Sequence, residues 1–361
     1  MIPINITSAR RKEIKEAVYK TLCNYPVPFI PLKVKSLVRS FSNIRLISYS
    51  KQMERMHISY NKMIDFANSM DACTDYYADN NFYIIYYNDI ENSITLSNRY
   101  RWNIAHELGH IMLEHQKTHQ KTRIFRSELS TPEYNELEAE ADYFAQLILV
   151  PHVVLYALKI STERQLREFC QISGPAALRR FRDYKQWITQ MNKDDPYDKP
   201  IFYYYYNFIY KKYCCTCYAC VIQSTGKYCP ICGNKTLLRG DGKMKYTAKI
   251  SLDKNSKAIR CPICDNEEIS PDGDFCHICG TYLVNRCTNI SDDYDSCGHL
   301  ATANARYCIY CGAPTTFLKN NILQAWDQAF SSPFNTLPNN FMNTFDDIEA
   351  NFHESDGLPF D

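Results

Sequence analysis

Residues 98–115 read NRYRWNIAHELGHIMLEH, and inside them His106-Glu107-Leu108-Gly109-His110 has the pattern H-E-x-x-H. Ile104, Leu108 and the pair Ile111 and Met112 recur at helical spacing, so a helix is expected from about Asn98 to His115. Residues four apart on a helix share a face, which lets the rings of His106 and His110 reach one ion. Glu107 stands beside them. A carboxylate there can take a proton from water acidified by zinc and pass it to a leaving amine.

A catalytic zinc needs a third protein ligand and an open position. The next expected helix, about 133–149, lies in NELEAEADYFAQLILVP and offers Glu136, Glu138, Glu140 and Asp142. Glu138 and Asp142 are four apart. They resemble the Glu-x-x-x-Asp arrangement of thermolysin-like enzymes, which implies that the glutamate binds zinc and the aspartate holds a ligating histidine from behind. Glu138 is therefore preferred over Glu140 as the third ligand, with Asp142 in support.

Outward from this pair of helices, the first 190 residues read as α+β. Helices are expected at 7–24 and 33–41. Strands are expected at 44–49, 56–60 and 82–87, with 93–96 pairing to the last, and two or three helices over 152–192. The expected architecture is a helical metallopeptidase domain with a small antiparallel sheet, followed by tandem small zinc ribbons. The domain is assigned to 1–192, a polar linker and an aromatic strand to 193–213, ribbons to 214–245, 246–284 and 285–318, and an acidic, flexible tail to 319–361.

The ribbons rest on cysteine spacing. Three of the 17 cysteines, Cys23, Cys73 and Cys170, are scattered over the first 213 residues and read as core residues; the other fourteen crowd between Cys214 and Cys311. With no signal-peptide pattern at the start and no apolar run long enough to span a bilayer, a cytoplasmic protein is expected. Paired Cys-x-x-Cys groups then read as metal ligands rather than disulfides. Ribbon 2 takes Cys261, Cys264, Cys276 and Cys279; ribbon 3 takes Cys287, Cys297, Cys308 and Cys311. Ribbon 1 ends in Cys229 and Cys232. Its other half is degenerate: Cys217 with Cys220 is favoured, and Cys214 with Cys217 is the alternative.

Two stretches resemble the ImmA/IrrE family of metallopeptidases: the Arg-x-Arg lead-in (Arg99, Arg101) to Ala105-His106-Glu107-Leu108-Gly109-His110, and Glu138-x-Glu140-Ala141-Asp142-x-Phe144-Ala145 ending at Pro151. The resemblance covers roughly residues 10–190. It implies a zinc-dependent endopeptidase acting in regulation, with a DNA-binding repressor as the kind of protein it would cut. Some members carry an N-terminal helix-turn-helix domain; this chain is expected to lack room for one, and it has ribbons at the other end instead.

The ribbons are expected to recruit the substrate or another protein. A nucleic-acid role for ribbon 1 is the minor reading: residues 199–245 hold eight Lys or Arg against one acid, but 246–319 hold nine acids against seven bases, and no basic stripe is continuous. A net charge of +1 adds no global pull toward nucleic acid or membrane. The alternative to a peptidase is a zinc-bearing sensor or scaffold that binds a peptide without cutting it. Four zinc ions per chain are expected, one catalytic and three structural. Under mild chelation the catalytic ion should leave first, because its coordination is open. Metal analysis of folded protein checks this, and one zinc or fewer would defeat the ribbon assignment.

Overall fold

The computed structural model describes residues 6–25, 28–90, 94–125, 129–191, 195–246, 250–290 and 296–328. The chain divides after Ile209 into two compact units. Among the described residues no helix is long and apolar enough to cross a membrane.

The first unit opens with α1 (Ser8–Cys23), capped by the Thr7 hydroxyl, and α2 (Val34–Arg39). Strand β1 (Ile44–Ser48) leads into two short helices, α3 (Tyr49–Met56) and α4 (Tyr60–Ala67). The strand expected at 56–60 is therefore the junction of these helices, where His57 takes a left-handed conformation (φ 54°) that ends α3. Strands β2 (Ala72–Tyr77) and β3 (Phe82–Tyr87) complete a sheet in the order β1-β3-β2. The expected antiparallel sheet is in fact mixed: β2 runs antiparallel to β3, but β1 runs parallel to it, with Ile44 opposite Tyr83. Central β3 buries Tyr83, Ile85, Tyr86 and Tyr87.

The long helix α5 (Ile94–Met112) carries the HELGH segment. Residues 94–96 belong to it and do not pair with β3, contrary to expectation. A single turn, α6 (His115–Thr118), follows after Glu114 takes a left-handed conformation (φ 59°). Helix α7 (Thr131–Leu149) starts in a capping box in which Ser130 and Glu133 bind each other's backbone amides, and Val150-Pro151 ends it. Then come α8 (His152–Ala157), α9 (Glu163–Cys170) and α10 (Gly174–Gln190).

The aromatic run 201–210, expected as a strand, is the body of α11 (Asp198–Tyr210). It buries Ile201, Phe202, Tyr205 and Ile209, one stripe of a helix. Asp195 and Asp198 bond Lys15, and the Trp187 indole donates to Asp198, so this part of the expected linker is tied into the first unit. The unit thus continues well past residue 192.

The second unit contains all three ribbons. Strands β4 (Lys211–Cys214), β5 (Cys220–Ile222) and β6 (Leu237–Arg239) form a small sheet in the order β5-β4-β6. Helix α12 (Thr316–Lys319) closes the last ribbon. The tail expected from 319 does not begin there: Ile322 and Leu323 pack against Phe317 and Leu283, and Trp326 packs on the ribbon 1 core. The rest of that tail, 329–361, lies outside the described residues.

The two long helices of the first unit cross at Gly109. A Cβ there would stand 3.1 Å from the Cα and carbonyl oxygen of Ala141 and 3.2 Å from Phe144 Cδ1. Backbone cannot move aside as a side-chain tip can. Gly109→Val is expected to lower stability by about 1–3 kcal/mol through overpacking, despite a small gain in helix propensity. The shift in denaturation midpoint of the first unit measures it, and an unchanged or raised midpoint would contradict the crossing.

Candidate metal centre and active site

The crossing of α5 and α7 brings His106, His110 and Glu138 together. His106 Nε2 lies 3.1 Å from His110 Nε2 and 3.3 Å from Glu138 Oε2, and His110 Nε2 lies 3.4 Å from Glu138 Oε1. Ligands about 2.0–2.2 Å from a tetrahedral zinc would stand about 3.3–3.6 Å apart. The two imidazoles and the carboxylate therefore fit zinc in both donor type and spacing.

Each ligating ring is held from behind. His106 Nδ1 is 3.0 Å from Asp142 Oδ1, which leaves Nε2 for the metal. Burial alone would depress the His106 pKa, but the bonds to Asp142 and Glu138 outweigh it and lift it to about 10. His110 is buried, and that burial lowers its pKa to about 4, so it is neutral and ready to coordinate.

Behind His110 runs a longer chain. His110 Nδ1 is 2.8 Å from His115 Nδ1, His115 Nε2 is 3.0 Å from Glu140 Oε2, and Arg10 grips Glu140 with two bonds of 2.8 and 2.7 Å. Proton bookkeeping fixes the direction. If His110 offers Nε2 to a metal, its Nδ1–H donates to His115, and His115 Nε2–H donates to Glu140. Burial lowers the His115 pKa, which suits the neutral ring this chain needs. Glu140 thus faces away from the metal ligands, toward His115 and Arg10. Glu136 is not among the clustered ligands either.

Glu107 points the other way, toward the sheet. The Thr74 hydroxyl on β2 donates to Glu107 Oε2 at 2.7 Å. Burial raises the Glu107 pKa, with His106 and the Thr74 bond pulling against it. A carboxylate so placed is a stronger base than one in water.

Arg99 and Arg101 act as anchors of α5. Arg99 pairs with Asp71, to which the Asn103 amide also donates, and Arg101 donates to the carbonyls of Cys170 and Gln171 at the end of α9. Thr74, His115 and Arg10 escape the sequence. His115 lies five residues past His110, off the ligand face of any unbroken helix; the break at Glu114 turns it back. Thr74 sits in a strand without clean alternation, and Arg10 is 130 residues from Glu140.

The ribbon cysteines form three tetrads. Ribbons 2 and 3 gather Cys261, Cys264, Cys276 and Cys279, and Cys287, Cys297, Cys308 and Cys311. Ribbon 1 gathers Cys214, Cys217, Cys229 and Cys232. Cys214 replaces the favoured Cys220: β4 delivers Cys214 to the tetrad, whereas Cys220 lies across the ladder on β5, opposite Tyr213. Nearest sulfur pairs are 3.4–3.6 Å apart in all three. That is far beyond the about 2.05 Å of a disulfide and close to the about 3.8 Å expected around zinc.

Comparison with known families matches residues 64–182 to a peptidase family described as the IrrE N-terminal-like domain. The match takes in β2, β3, α5 and α7, and so every residue of the metal cluster; the ribbons lie outside it. Residues 64–182, about a third of the chain, are thus similar to a peptidase domain of the IrrE kind. No curated protein matches the chain.

Metal analysis of single variants tests the assignments. Glu138→Ala and Cys214→Ser should each lose one zinc, and Cys220→Ser should lose none. His115→Ala and Asp142→Ala should keep the fold and weaken the first unit's zinc affinity by about 10–100-fold. Full zinc in Glu138→Ala, or a loss in Cys220→Ser, would overturn the ligand sets.

Proposed function

We propose that this chain, with an IrrE N-terminal-like domain over residues 64–182, is a zinc-dependent endopeptidase that hydrolyses a protein substrate. The observation that carries the reading is the position of Glu107: one residue from His106 in the metal cluster, half-buried, and held by Thr74. Zinc, when bound by His106, His110 and Glu138, supplies a Lewis acid that polarises the scissile carbonyl and makes water easier to deprotonate. Glu107 accepts the proton of the attacking water and delivers it to the departing amine. Thr74 fixes one carboxylate oxygen of Glu107 and leaves the other for that transfer. Asp142 and the His115-Glu140-Arg10 chain hold the histidines in the tautomers that bind metal.

The likeness to ImmA/IrrE peptidases suggests a regulatory DNA-binding repressor as substrate, and the ribbons suit recruitment of that substrate or of another protein. The test is incubation of wild-type and Glu107→Gln protein with a proteome, reading new protein termini by mass spectrometry. Wild type should create termini, and Glu107→Gln, with zinc retained, should create them about 10²–10⁴-fold more slowly. Identical termini from both proteins, or none from wild type, would favour a non-cutting sensor or scaffold.

A further inference from the structure

Within the second unit, two zinc knuckles lock onto each other by reciprocal contacts. In ribbon 1 the knuckle is Lys227-Tyr228-Cys229-Pro230-Ile231-Cys232-Gly233; in ribbon 3 it is Arg306-Tyr307-Cys308-Ile309-Tyr310-Cys311-Gly312. The amides of Lys227 and Tyr228 donate to the Ile309 carbonyl at 2.8 and 2.9 Å. The amides of Arg306 and Tyr307 donate to the Pro230 carbonyl at 2.8 and 3.0 Å. Each tyrosine covers the other knuckle's glycine. A Cβ on Gly312 would lie 2.6 Å from Tyr228 Cδ1, and one on Gly233 would lie 2.8 Å from Tyr307 Cδ1. These contacts come in mirrored pairs, so the two knuckles are related by an approximate two-fold, from which the Thr225–Tyr310 hydroxyl contact departs.

Ribbon 2 carries a third knuckle of the same make, Gly273-Asp274-Phe275-Cys276-His277-Ile278-Cys279-Gly280. It matches ribbon 1 down to its glycines: Gly226 and Gly273 have φ of 86° and 85°, and Gly233 and Gly280 have φ of 76° and 73°. In ribbon 1 these glycines are pressed by Ile309 and Tyr307; in ribbon 2 nothing lies within 4 Å of a Cβ at either. Phe275 stands where Tyr228 and Tyr307 stand, yet it is 62% exposed, and Ile278 is 66% exposed. Among the described residues, the amides of Asp274 and Phe275 have no backbone acceptor and the His277 carbonyl has no backbone donor. These are the groups that the other two knuckles use to pair.

We infer that this bare knuckle is a self-association site, and that its occupant is the same knuckle of a second copy of this chain. The internal pair defines how such a surface is covered, and its two-fold character makes a single knuckle type complementary to itself. In the pair, Phe275 of each copy covers Gly280 of the other, and each His277 carbonyl accepts from the partner's amides at 274 and 275. The exposed apolar residues and idle backbone groups of ribbon 2 are satisfied together.

The experiment is sedimentation velocity of the full, zinc-loaded chain. An interface this small is weak, so the range runs from about 10 µM to about 500 µM. Wild type should shift toward twice the monomer mass. Phe275→Glu should remain monomeric with its zinc content unchanged, and Phe275→Tyr, which installs the aromatic of the paired knuckles, should associate as wild type does. Ile263→Glu, an equally exposed apolar residue (61%) on the other knuckle of ribbon 2, should also still associate, which separates pairing from general stickiness. If Phe275→Glu loses zinc, Phe275→Ser is read in its place. A wild type monomeric at the highest concentration overturns the proposal. So does undiminished association when Phe275 is replaced by Glu or Ser with zinc retained, or its loss in Ile263→Glu.

Discussion

At Gly109 the helix bearing the metal ligands touches the backbone of the helix bearing the third. Interaxial distance is set by the side chains between two helices, and here one of them is a hydrogen atom. That close approach places Glu138 within 3.4 Å of both imidazoles, and it places Asp142 one turn further along α7 against His106. The same approach sends Glu140, two residues from Glu138, to the other side of His110. There it meets His115 and Arg10. Helix α1 is thereby linked to the metal site through a carboxylate that the metal does not use, and the edge strand β2 is linked through Thr74. The centre is built by one crossing and held by the elements on either side.

The ribbons solve a different problem. Their buried clusters are small: four cysteines with Ala219 and Ile231 in ribbon 1, and two cysteines with Ala258, Leu283 and Phe317 in ribbon 2. Zinc held by the four thiolates of each tetrad would supply the order that so small a buried cluster does not. Lys257 adds a polar tie: its ammonium donates to the carbonyls of Ser270, Pro271 and Gly273 and so closes the 270–273 loop.

What the sequence revealed followed from local spacing. His106, Glu107 and His110 are legible because an i, i+4 pair needs only one helix, and Glu138 with Asp142 repeats that logic. The tetrad of ribbon 2 is legible because two Cys-x-x-Cys knuckles admit one pairing, and that of ribbon 3 because Cys287 and Cys297 are the cysteines left between Cys279 and the knuckle at Cys308 and Cys311. Ribbon 1 failed because Cys214, Cys217 and Cys220 are evenly spaced, and only the strand pairing of Tyr213 with Cys220 removes the last from the tetrad. The aromatic run at 201–210 failed because nearly every position is apolar, which hides the helical stripe Ile201, Tyr205, Ile209 among residues that favour strands. His115 and Thr74 depend on a left-handed turn and on a strand-to-helix contact. Neither leaves a periodic signal.

The proposed activity requires zinc at the crossing, bound by two histidines of α5 and by Glu138 of α7. Anomalous diffraction at the zinc edge from crystals of the zinc-loaded chain tests this directly. The result predicted is a peak about 2.0–2.2 Å from His106 Nε2, His110 Nε2 and a Glu138 carboxylate oxygen, with Glu140 still on His115. A peak coordinated by Glu140, or zinc confined to the three cysteine tetrads, would contradict it.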